Sequence, residues 1–180
     1  MHTPTLRSTL LAIASAAIAV AASTATLTAQ AGALRAHGAN ADGGTTSGAA
    51  VHRQGANGNS LTRGRAATTD GQGNGAVVSG AQVTGANGGT GARAGTTSVS
   101  ADGSASHKSG LSAANANGSV QSSGSATRDA SGNLTQSRST SATSNVTGNS
   151  VQSSSSYNSA TGLSHSATCY NAAGAVVACR

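Results

Sequence analysis

The chain has 180 residues, of which 36% are hydrophobic and only 8% charged, with 25 Gly, two Tyr and neither Phe nor Trp. Most of the apolar residues are alanine, and burying each of the few Leu and Val contributes only about 2 kcal/mol against the cost of ordering the backbone, which excludes a conventional globular core. The net charge of +6 comes from scattered arginines set against four Asp and no Glu, which excludes both the dense basic, aromatic-rich stripe of a specific nucleic-acid reader and a paired-carboxylate catalytic centre.

Residues 1–31 read as a cleavable signal peptide. His2 and Arg7 make a positive start, and the run from Leu10 to Ala22 is an apolar stretch of signal length, expected to form a signal helix and too short to span a bilayer. Ala29-Gln30-Ala31 places small residues at the two positions a signal peptidase reads, so cutting is expected between Ala31 and Gly32. No later segment is apolar enough to span as a helix, so the mature chain is expected to be secreted, without a membrane span once the signal is removed.

Residues 32–114 are low in complexity, built of Gly, Ser, Thr, Ala and Asn, and punctuated by a repeat. Ala41-Asp42-Gly43, Ala56-Asn57-Gly58, Ala86-Asn87-Gly88, Ala101-Asp102-Gly103 and Ala116-Asn117-Gly118 share one tripeptide form; with Gly73, their glycines recur every 15 residues. Asn-Gly and Asp-Gly suit tight turns with positive φ at both central positions. Secondary glycines at 48, 64, 80, 95, 110 and 124 divide each unit into two short arms. Measured from the preceding turn glycine, Val51, Leu61, Val83 and Val99 share no common offset, so no apolar column forms. This part is expected to be flexible and mostly disordered.

Residues 115–180 are more regular. Val120, Leu134, Val151, Leu163 and Val176 each follow a turn glycine closely, and alternation follows in turn. Val120, Ser122, Gly124 and Ala126 share a face, as do Leu134, Thr140 and Ala142, then Val151 and Tyr157, then Leu163, His165, Ala167 and Cys169. The opposite faces are Ser, Thr, Gln and Asn. The segment is expected to be a small all-β antiparallel meander.

Cys169 and Cys179 flank Ala172-Ala173-Gly174-Ala175, a turn sequence. In a hairpin closing there they would face each other at roughly 4.5–5.5 Å between Cα atoms, within disulfide reach. Two thiols without a neighbouring Cys or His pair make a poor zinc site, and C-x-x-C redox spacing is absent. A disulfide is expected, in keeping with export.

Tyr170-Asn171-Ala172-Ala173-Gly174 and the segment from Arg128 to Thr135 resemble the Tyr-Asp-x-x-Gly units of YD/RHS-type repeats. That resemblance implies a long β-meander in a secreted or surface-bound bacterial protein with a shell or adhesive role. The chain is also similar in character to polar repeat proteins of bacterial matrices, including curli-like fibre formers.

No catalytic chemistry is legible. Each Asp lies in or beside a turn, His37, His52, His107 and His165 show no metal-ligand spacing, and no G-x-S-x-G elbow occurs. Asp70-Gly71-Gln72-Gly73-Asn74-Gly75 offers a single carboxylate, too little for a calcium site. No cofactor or metal is expected. The reading is a non-enzymatic structural or adhesive surface or matrix protein, self-associating through its β-repeats. The alternative is a secreted module binding glycan or another anionic, repetitive polymer. The partners are then the chain itself or extracellular polysaccharide, with no specific nucleic acid.

Overall fold

After Pro4 the chain contains no proline, so every backbone N–H between the turn glycines is free to join a ladder. The intervening segments are rich in Thr, Ser and Val, which suit extended backbone. In the computed structural model, which describes residues 32–179, they form eleven strands: β1 (Gly32–Ala39), β2 (Thr45–Gln54), β3 (Ser60–Thr69), β4 (Gly75–Thr84), β5 (Thr90–Val99), β6 (Ala105–Asn115), β7 (Gly118–Arg128), β8 (Leu134–Ser144), β9 (Ser150–Asn158), β10 (Gly162–Tyr170) and β11 (Val176–Val177). They lie side by side in chain order as one antiparallel sheet. The expected signal segment and its cleavage point at Ala31 fall outside the described residues.

The expected flexibility of residues 32–114 gives way to a continuous ladder: β1 to β6 pair as fully as the strands after them. A partly apolar row runs through Leu61, Val83, Gly91, Ala113, Val120, Ala142, Val151, Cys169 and Val177, each directly opposite the next, but on β2 it meets Arg53, and Val51 and Val99 stand in other rows, opposite Arg63 and Gly75. A count from the preceding glycine hides it, because antiparallel strands meet a given column just after one turn and just before the next. The same reversal separates Val120 and Val151 from Leu134 and Leu163, which lie toward the opposite ends of their strands rather than in one column.

The turns differ in type from the tight hairpins expected. Asn40 donates its N–H to Gly44 C=O, and Gly43 donates to Asn40 C=O; the same pair of bonds closes the loops at Gly58, Gly88, Gly103, Gly132 and Gly174. This is a type I turn followed by a bulge, in which one residue, the glycine, takes positive φ (80° at Gly43) rather than two. Two members of the 15-residue series differ: the β3–β4 loop keeps the bond from Asp70 N–H to Asn74 C=O but turns through two positive-φ glycines, Gly71 and Gly73, and Gly118 opens β7 opposite Asn115 across a two-residue turn. The secondary glycines bound no turns. Gly48, Gly64, Gly80, Gly95, Gly110 and Gly124 all lie in mid-strand, so each unit is one strand and one loop. Glycine weakens a strand interior by about 0.5–1 kcal/mol relative to alanine, but here it removes no core contact.

There is no core to lose: among the described residues no apolar or polar side chain is buried, and Val83, Val99 and Leu111 each remain 44% exposed. The sheet is a single layer held by its backbone ladder and by cross-strand pairs such as Ser98–Ser106 (2.8 Å) and Ser125–Ser137 (2.9 Å), each type of pair contributing roughly 0.2–1 kcal/mol. No described helix is long and apolar enough to cross a membrane.

Candidate functional site: a cationic sheet face

Alternate residues of a strand point to opposite faces, and directly opposed residues share one. Carried from β1 to β11 through the observed register, this rule sorts the side chains sharply. Arg35, Arg53, Arg63, Arg65, Arg93, Arg128 and Arg138, all the arginines among the described residues, stand on the same face. His37, His107 and His165 join them. The other face carries Lys108 and His52 as its basic residues and is otherwise neutral. The groupings expected for residues 115–180 all fall on the arginine face.

Two central rows hold most of the charge. One runs through Arg35, Ala49, Arg65, Ser79, Gly95, Ser109, Gly124 and Arg138; the next runs through Val51, Arg63, Ala81, Arg93, Leu111 and Ser122. Five of these arginines, 35, 63, 65, 93 and 138, line one shallow depression of about 640 Å³. Glycine and alanine in the rows leave the guanidinium groups standing clear. Arg138 lies over Gly124 and donates to Ser122 Oγ at 3.1 Å. Arg128, nearer the sheet's end, donates to Gly103 C=O at 2.9 Å.

The neutral face is a field of hydroxyls in its second half. Ser123, Ser139, Ser154 and Ser166 form one row, with bonds of 3.1 Å between the first pair and 2.8 Å between the last. They line a depression of about 770 Å³ with Gln121, Gln152 and Thr168 among others. The two depressions lie on opposite faces and overlap between β5 and β8, as a twisted single layer allows.

The acidic residues are segregated as well. Asp42, Asp70, Asp102 and Asp129 all occupy loops that join an odd-numbered strand to the next, so they line a single rim, while the loops of the opposite rim carry Asn57, Asn87, Asn117, Asn145 and Asn171. Each of three carboxylates is used locally. The Asn74 side-chain amide bonds Asp70 and holds its carboxyl below the usual range, aided by the Gln72 N–H at 2.8 Å. Ser104 does the same for Asp102, and the Asn133 amide does so for Asp129 at 2.8 Å. Neighbouring loops on this rim are stitched together: Asn40 Nδ2 donates to Thr69 C=O at 2.7 Å, and Ala101 N–H donates to Asn74 Oδ1 at 2.9 Å.

The two cysteines are joined, with Cα atoms 5.3 Å apart. Their placement differs from the directly opposed pair expected: Cys169 faces Val177, and Cys179 reaches back to it diagonally. The bridge clips β11 onto the end of β10. A bonded pair is compatible with an oxidising, extracellular location. Among the described residues no group of three or more His, Cys, Asp and Glu is placed to hold a metal ion.

Along the sequence the arginines are dispersed. Their one-sidedness emerges once strand parity is known, and the i, i+2 pair Arg63 and Arg65 was its local sign. No family model matches the chain, and no curated protein or solved structure resembles it significantly.

Proposed function

We propose that the chain is an exported, non-enzymatic structural protein of the cell surface or extracellular matrix that assembles edge to edge into longer sheets. The observation that carries this reading is a coreless sheet with open edges. Among the described residues β1 is hydrogen-bonded on one side only, and β10 meets β11 only through Cys169 and Tyr170. Ten long strands alternate in direction, so β1 of a second copy fits antiparallel against β10 with the same face upward. Such a contact is heterologous and does not close, which builds a filament rather than a dimer. The A-x-A site at Ala31 and the Cys169–Cys179 bridge support export, and the likeness of Tyr170–Gly174 to YD-type units suits a surface role.

Incubation of the purified protein with thioflavin T, followed by electron microscopy and fibre diffraction, tests the reading. Fibres with the ~4.8 Å strand repeat are expected, and the double substitution S164K/S166K on the open part of β10 should suppress them. A monomer that persists at all concentrations, or fibres indifferent to the edge lysines, would overturn it.

A further inference from the structure

The second face-level feature, the arginine lane, is independent of edge assembly and points to a ligand. Arg35 on β1, Arg65 and Arg63 on β3, and Arg93 on β5 stand two strands apart, with Ala49 and Ala81 between them. At ordinary strand spacing that is one cation every ~9.5 Å along a line crossing the strands. Arg138 on β8 stands in the row of Arg35 and Arg65 but three strands beyond Arg93, so it adds a cation to the same face outside the two-strand rhythm. Only Arg128 and Arg138 have side-chain hydrogen-bond partners among the described residues, and every Asp lies on the rim, so the lane's charge is uncompensated where it stands.

We infer that this lane binds an extended acidic polysaccharide carrying a carboxylate on alternate sugars. One sugar of an extended pyranose chain advances by roughly one strand spacing, so such a polymer presents an anion every second strand, in step with the arginines. A guanidinium meets a carboxylate through a two-pronged bond that a lysine cannot make, which fits the exclusive use of arginine here. Ser79, Ser109 and Ser122 in the same rows supply hydroxyls to the sugar between. A nucleic acid is a poorer match: its phosphates recur about every 3.4 Å along each strand, and binders add aromatic platforms. Tyr157 lies off the lane, opposite Gln136, and Tyr170 points to the other face.

The test measures binding of the purified protein to hyaluronan oligosaccharides, whose carboxylates fall on alternate sugars, beside neutral chitin oligosaccharides and single-stranded DNA. Hyaluronan should bind most tightly and weaken as salt rises. The triple variant R63Q/R65Q/R93Q should lose about ten-fold or more in affinity, whereas K108Q, on the opposite face, should bind as the parent does. The pair R35Q/R138Q provides a second reading should the triple variant lose its sheet spectrum by circular dichroism. The edge variant S164K/S166K, blocked in assembly, should still bind, which separates failure of this inference from failure of the assembly reading. Unchanged affinity in the arginine variants, an equal loss in K108Q, or tighter binding of DNA or of the neutral oligosaccharide would overturn the inference.

Discussion

Gly103 holds φ at 83° in the loop between β5 and β6, whereas Gly110 lies extended in the middle of β6, where an added Cβ would come no nearer than 4.0 Å to Ser122 C=O. Alanine is therefore expected to have opposite effects. Gly103→Ala should cost about 1–2 kcal/mol for forcing a side chain into the left-handed region, and Gly110→Ala should gain about 0.5–1 kcal/mol by restricting the unfolded chain. Urea midpoints of the two variants check this; equal shifts would contradict the turn assignment. The rim carboxylates give a second residue-scale expectation. Asp70, Asp102 and Asp129 are held below the usual carboxylate range by their Asn74, Ser104 and Asn133 partners. The folded state thus favours the ionised form, and its contribution is complete above about pH 4 and is lost as the pH falls further through the depressed values. Urea midpoints across that window should drop more steeply for the parent than for D70N/D102N/D129N.

At the scale of the element, the hairpin is the unit and the disulfide guards the last one. β11 has only two residues, and its register with β10 rests on Cys169–Val177 and Tyr170–Val176. Closing a loop with a sequence separation of 10 is worth roughly 3 kcal/mol in the chain-entropy model. Reduction should therefore release β11 while β1 to β9 stay paired, read as loss of hydrogen-exchange protection confined to the end of β10. Because release bares the whole β10 edge, fibre growth should also quicken on reduction. The elements were partly legible beforehand: the turn glycines at 43, 58, 73, 88, 103, 132, 148, 162 and 174 all carry positive φ. What escaped was the meaning of offsets. Leu61 and Val83 stand opposite each other although one follows its turn and the other precedes the next. Mid-strand glycines such as Gly80 misled for a related reason, since a strand that buries nothing tolerates the absence of a side chain.

For the whole molecule, the missing core changes what sequence must encode. In a globular domain apolar periodicity marks the inside, and its scarcity here pointed toward disorder for residues 32–114. In a single layer the loops set the register, and hydrophobic count decides little. The candidate site was illegible for the same reason, because no arginine is close in sequence to Arg93 and only the accumulated pairing of five strands brings it into line with Arg63 and onto the face of Arg35. The regular register carries a further consequence for length. Gln54 pairs with Ser60 as Thr84 pairs with Thr90, so excising residues 60–89 joins Asn59 to Thr90 and lets β5 occupy the place of β3 unchanged. Excising residues 60–74 instead turns every later strand over, sending Arg93, Arg128 and Arg138 to the opposite side from Arg35, and Asp102 and Asp129 to the far rim. Both shortened chains lose Arg63 and Arg65 with β3 and should bind an anionic polymer more weakly than the parent. Both should give sheet spectra, but the first, which keeps Arg35, Arg93, Arg128 and Arg138 on one face, should retain more of the affinity than the second. Growth and loss in such a chain are quantised in strand pairs, and a tandem duplication or slippage event is harmless only when it counts in twos.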